Sequence, residues 1–128
     1  MPDPSVALQA ALYARLTAEV SAPVFDGAPL DTPMPYVSID REVVKNTTPI
    51  RGRKREERLI YLSAWSDALG QAEAKRIVGE IVAALDERRL ALDVGRAVSV
   101  RVIDSGTQRD EDGVTYMGSV TVRVITTH

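Results

Sequence analysis

The sequence predicts an α+β domain. The expected form is a two-layer α/β sandwich, an antiparallel four-stranded sheet with two helices packed on one face, in the order α-β-β-α-β-β. Three observations carry this. Leu59-Ile60-Tyr61-Leu62-Ser63-Ala64-Trp65 is a compact apolar run of strand type. After the break Ser66-Asp67-Ala68-Leu69-Gly70, the residues Ala74, Ile77, Val78, Ile81, Val82 and Leu85 recur at spacings of three and four, which places them on one helix face. A covered strand feeding a one-faced helix is the nucleus of two-layer packing. Second, valines alternate through Val98, Val100 and Val102. The same period runs through Val114, Tyr116, Gly118, Val120, Val122 and Val124, with Asp112-Gly113 between as a tight-turn signal. Third, Leu8, Leu12 and Leu16 form a stripe near the start of the chain.

The first helix is expected to open at Asp3-Pro4, a cap followed by proline where a missing N–H costs nothing. Ser5 is a competing cap. Ala11 and Val20 extend the leucine stripe, while Gln9, Arg15 and Glu19 fall on the wetter side. Ser21-Ala22-Pro23 ends the helix, because proline disfavours helical geometry in the residue before it. Val24-Phe25-Asp26-Gly27 reads as a short extended piece with a turn, and the proline-rich segment Ala28 to Pro35 as an irregular connector. Tyr36 to Val43 is the first main strand and Glu56 to Trp65 the second. Ser66, Asp67 or Gly70 caps the second helix, whose surface offers the pairs Glu73 with Arg76 and Arg76 with Glu80. That helix should stop near Asp86-Glu87-Arg88-Arg89, with Leu90 and Leu92 tucked under its end. Ala97 to Ser105 and the valine-rich return complete the sheet.

A chain of 128 residues suits one domain with its own core, here residues 1–128 with a flexible basic arm at 45–55. With no cysteine there is no disulfide framework, thiolate metal site or Cys nucleophile. Asp3 stands where a signal peptide would carry positive charge, and no apolar run approaches a membrane span. A soluble protein kept in the cytoplasm, with no membrane partner, is the expectation. Net charge is −2 but unevenly spread. Residues 41–58 carry seven bases (Arg41, Lys45, Arg51, Arg53, Lys54, Arg55, Arg58) against three acids, and the remainder nine bases against fifteen acids. Such asymmetry marks a contact surface, far short of the balance of a dedicated nucleic-acid binder.

The search for chemistry is short. His128 is the only histidine and the last residue, where a chain end ordinarily frays. Asp104, Asp110, Glu111 and Asp112 invite a metal reading. A calcium loop, however, needs alternating ligands and a later bidentate Glu, and here the chain passes from Asp112-Gly113 straight into a valine-rich strand. A solvated turn is the simpler reading. Gly52 has no second glycine at phosphate-loop spacing. Trp65 and Tyr61 share a strand face, better explained by core or subunit packing than by base stacking. The segment Lys45 to Arg58 is the one feature that folding does not require. It is either a solvated hairpin loop or an interaction arm that meets an acidic neighbour or nucleic acid. No metal, cofactor or catalytic residue is expected. From the residues alone, the chain is a soluble α+β interaction domain.

The order of landmarks resembles a known family. Ala11-Leu12-Tyr13, Val24-Phe25-Asp26-Gly27, Pro35-Tyr36-Val37-Ser38-Ile39, Leu62-Ser63-Ala64-Trp65-Ser66, Ala83-Ala84-Leu85 and Arg109-Asp110-Glu111-Asp112-Gly113-Val114-Thr115-Tyr116 follow one another. They do so as in the tail completion, or tail terminator, proteins of long-tailed bacteriophages and of phage-derived gene transfer agents. The resemblance spans nearly the whole chain, and its specificity lies in order and spacing.

It implies a structural virion protein and no enzyme. Such a protein is assembled in the bacterial cytoplasm into a ring, expected as a hexamer, at the head-proximal end of the tail tube. The implied partners are copies of itself, the major tail tube protein and the head connector or stopper. DNA would transit the lumen without specific binding. The candidate subunit or connector contacts are Lys45, Arg51, Arg53, Lys54, Arg55, Asp110, Glu111 and Asp112. The rival readings are a generic oligomeric protein- or nucleic-acid-binding domain using the arm, and a small hydrolase or isomerase using carboxylates such as Asp40 or Asp104.

Overall fold

A computed structural model describes residues 2–27, 31–49 and 51–128. Helix α1 (Ser5–Glu19) leads to a two-residue strand β1 (Val24–Phe25), then to β2 (Tyr36–Asn46), β3 (Arg55–Ser66), α2 (Ala72–Leu85), β4 (Arg96–Arg109) and β5 (Tyr116–Thr127). The five strands form one sheet in the order β1-β2-β3-β5-β4. All neighbours are antiparallel except β1, which runs parallel to β2. Both helices lie on one face of the sheet.

Alternation decides which face each strand residue takes. Val37 and Ile39, Ile60, Leu62 and Ala64, Val100, and Val120, Val122 and Val124 meet Leu8, Leu12 and Leu16 of α1 and Ile77, Val78, Ile81 and Leu85 of α2 in one core. Helix α2 lies over β3, β5 and β4. Its approach to β5 needs Gly118, where an added Cβ would stand 2.4 Å from Val78 Cγ2. The two helices are also tied through Arg15, whose guanidinium donates to Ala84 O (3.0 Å) and Arg89 O (2.8 Å). That satisfies a carbonyl which the last turn of α2 leaves without a helical partner.

The expected sheet was one strand short. Val24 and Phe25, read as an extended piece, pair with Val37 and Ser38 and make a fifth, parallel strand. Two residues carry no period, so only tertiary pairing reveals them. Residues 28–30 of the expected connector, and Ile50 of the arm, lie outside the described residues.

Local chemistry also departs from expectation. Asp3 is not formally the cap of α1, yet its carboxylate accepts the Ser5 N–H at 2.9 Å. Helix α2 starts after Gln71 with no side-chain cap. Ser66 instead donates to Glu73 Oε1 (2.7 Å), which draws Glu73 away from Arg76, and Arg76 pairs with Glu80 (3.2 Å) and donates to Ser21 Oγ (2.8 Å). Val98 is half exposed because the register of β4 shifts between Ala97 and Ser99, and Val114 is exposed because it belongs to the turn. His128 is not frayed: its backbone N–H and C=O both pair with Lys54.

Candidate functional site

The two strands that carry the basic segment run further than their hydrophobic pattern suggested. Lys45 belongs to β2, cross-strand from Glu57, and Arg55 opens β3 opposite Thr127. Only residues 47–54 connect them, and that connection is tied at both roots. Thr47 N–H donates to Arg55 O (2.9 Å), Arg55 N–H to Thr48 Oγ1 (3.0 Å), and Lys54 exchanges backbone bonds with His128 (3.1 and 3.0 Å). Lys45, Arg51, Arg53, Lys54 and Arg55 are all exposed. None forms an ion pair with another described residue.

Asp110, Glu111 and Asp112 lie in the β4–β5 turn, at the opposite end of the sheet. Strand β5 separates the two ends by its whole length, Tyr116 to Thr127, roughly 35 Å at the rise of a strand. The chain therefore does not bring its candidate bases and acids together. It segregates them. Asp112 is occupied by the turn itself, accepting the Thr115 hydroxyl (2.6 Å) and the N–H groups of Val114 and Thr115 (2.9 and 2.8 Å). Those bonds, the Thr115 hydroxyl first, hold its carboxyl below the ordinary aspartate value. Asp110 and Glu111 have no such partner among the described residues.

Arg58, counted with the basic segment, is not on its surface at all. It alternates with Glu56, Ile60, Leu62 and Ala64 on the helix face of β3, and its side chain is fully buried. Nε donates to Thr126 Oγ1 (3.0 Å), Nη1 to Ser5 Oγ (2.5 Å) and Glu42 Oε1 (3.2 Å), and Nη2 to Asp3 Oδ1 and Glu56 Oε1 (both 2.8 Å). Every guanidinium nitrogen thus has a partner, as a buried cation needs. The Ser5 N–H and then the Arg58 guanidinium hold the Asp3 carboxyl below its ordinary range. His128 packs against this cluster with its side chain 9% exposed, and Nδ1 stands 3.7 Å from Glu56 Oε1. Arg58 thus joins the start of α1, β2, β3 and β5 just behind the basic end. Sequence reasoning missed this hub, although the strict alternation from Glu56 to Ala64 already placed Arg58 on the apolar face.

The helix-free face carries aromatic side chains. Phe25 meets Tyr36 edge-on (centroids 5.9 Å apart), Tyr36 neighbours Trp65 (6.5 Å), and Arg41 stacks over Tyr61 at 4.4 Å. Trp65 and Tyr61 therefore stand outside the core. Asp40, weighed as a catalytic carboxylate, lies at the β2 irregularity and accepts hydroxyl protons from Ser38 and Ser63. Asp104 is exposed on β4. Among the described residues no group of three or more His, Asp or Glu is placed to hold a metal ion. No helix among the described residues is long and apolar enough to cross a membrane. What the arrangement offers is a five-stranded sheet with unpaired positive charge at one end and unpaired negative charge at the other, among the described residues.

Comparison with known proteins finds a matching family and a similar solved structure. The model of the family described as tail completion protein gp17 matches residues 6–127. A chain from the virion of a native gene transfer agent particle superimposes with a TM-score of 0.88 at 26% identity, with 100% of both chains covered. No curated protein matches.

Proposed function

The chain belongs to the tail completion protein gp17 family, and from that membership we propose that it caps the head-proximal end of a phage-like tail tube as a ring of identical subunits. The ring, a hexamer on this reading, joins the tube to the head connector. The protein is a structural component of a virion, assembled with other tail or head proteins. The observation that carries the finer reading is the separation of unpaired charge, with Lys45, Arg51, Arg53, Lys54 and Arg55 at one end of the sheet and Asp110 and Glu111 at the other. Charges held apart within one subunit are free to meet complementary charges on two different neighbours. Asp112 supports the acidic end by shaping the turn.

On this reading the 47–54 connection orders against a neighbouring or connector subunit. DNA passes the ring without specific binding, since strong phosphate attraction would hold the duplex. Electron microscopy of particles lacking this protein tests the proposal. Tubes of uncontrolled length, or tails that fail to join heads, are expected; unchanged particles would overturn it. Reversal of Arg51, Arg53 and Lys54 to Glu then separates two roles for the arm. Loss of tail-to-head joining marks a protein contact. Intact rings with blocked DNA passage would instead mark a lumenal one.

A further inference from the structure

The backbone groups at the two edges of the sheet are accounted for unevenly. Along the first half of β4 the outward groups are taken by the chain that leaves α2: Glu87 N–H donates to Val100 O and Val102 N–H to Asp86 Oδ1, both at 2.9 Å. The register then shifts at Ile103. Beyond it, alternation turns Ser105, Thr107 and Arg109 outward, and their edge N–H and C=O groups have no partner among the described residues. At the opposite edge β1 covers only Val37 and Ser38. After the irregularity at Asp40 the outward residues of β2 are Glu42, Val44 and Asn46, again without edge partners. A long unpaired edge is a template for another strand. Here two short open edges remain, diagonally across one sheet, with three outward residues each.

We propose that these two edges join successive copies of the chain. Residues 42–46 of one copy pair antiparallel with residues 105–109 of the next, in the register Glu42 to Arg109, Val44 to Thr107 and Asn46 to Ser105. This rests on the ring reading above and names the joint that builds it. The face of every side chain agrees: Glu42, Val44 and Asn46 share the helix face of β2, and Ser105, Thr107 and Arg109 share the helix face of β4. The joined sheets therefore keep all helices on one side. Charge agrees as well. Glu42 meets Arg109, and on the helix-free face Arg41 meets Asp110 while Lys45 lies diagonal to Asp104. Shifting the register by two residues either way leaves one outward residue on each edge unpaired.

The joint is heterologous, so it makes either a ring or a filament. Within one sheet Val44 is level with Arg58, Val124 and Val100, whereas across the joint it is level with Thr107. With one residue absorbed by the bulge, that is a stagger of roughly 20 Å against a subunit width of roughly 19 Å for four full strands. A ring absorbs such a stagger if its strands incline roughly 45° to its axis, near the 35–45° typical of closed sheets.

The chain has no cysteine, so an introduced pair reads the register directly. Val43 and Gln108 are exposed and become a non-hydrogen-bonded pair across the joint, with Cα atoms roughly 4.5 Å apart, within disulfide range. Oxidised V43C/Q108C protein should give a covalent ladder on a non-reducing gel, with V43C alone giving at most dimers. V43C/D110C, two residues out of register, should link markedly less. Arg41→Asp should weaken association roughly fivefold, and adding Asp110→Arg should restore it. Oligomers seen by light scattering without the V43C/Q108C ladder overturn this joint but leave the ring standing. Protein that stays monomeric and unlinked under every assembly condition overturns both.

Discussion

Replacing Arg58 by Met keeps most of the side chain's volume and removes its charge and five hydrogen bonds. The cost follows from what is left behind. Asp3 is 63% exposed as a side chain and can rehydrate, so its share is small once solvent screening is counted. Glu42 is partly covered, and Glu56, 11% exposed, stays largely dry and loses its counterion. Breaking a buried pair by removing one partner costs 3–5 kcal/mol. With only Glu56 deeply stranded, about 3 kcal/mol is expected, or about 10 °C in Tm for a domain of this size. The double variant Arg58→Met/Glu56→Gln removes the stranded charge and should recover about 1–2 kcal/mol of that loss. Equilibrium urea unfolding at fixed protein concentration reads both. A loss below about 0.5 kcal/mol for Arg58→Met, or no recovery in the double variant, would refute the view that this cation is held by electrostatic satisfaction.

Gly118→Ala drives a methyl against Val78 and should cost about 1–3 kcal/mol in the same assay. Pairing it with Val78→Ala should cost less than the sum of the two single variants, because each relieves the other's misfit. The carboxyls of Asp3 and Asp112 both titrate below the ordinary 3.8 in the folded state. The stability they contribute is therefore present above that value and lost as pH falls through their folded pKa values. Thermal melts should be flat from neutral pH to about pH 5 and decline below about pH 4, and Asp112→Asn should make that decline shallower. Deleting residues 48–53 should leave the melting transition of the domain nearly unchanged, since the core lies elsewhere, while abolishing tail-to-head joining. Normal joining would remove the arm from the function.

Two helices and four main strands were legible because burial imposes a period, and the period survives in the residue string. Leu8, Leu12 and Leu16, the α2 stripe from Ala74 to Leu85, and the valines of β5 are core residues for the same reason that they recur. Where the chain breaks its period, the sequence misleads. Val98 alternates with Val100, yet one shift of register turns it out of the core. The charged residues proposed as contacts were legible as an imbalance of composition, but composition has no direction. It counted Arg58 with Arg51 and Arg53, although one is the most enclosed side chain in the cluster and the others are exposed.

The sequence by itself determined the α+β class, the amphipathic faces and the absence of cysteine chemistry, since those depend on residue type and local spacing. Tertiary structure alone decided the fifth strand, the order β1-β2-β3-β5-β4, the Arg58 hub and the opposite placement of basic and acidic ends. The physical reason is common to all four. Strand pairing and buried ion pairing join residues far apart in the chain, such as Ser5, Glu42, Arg58 and Thr126, and their energy depends on geometry and exclusion of water that no local pattern encodes.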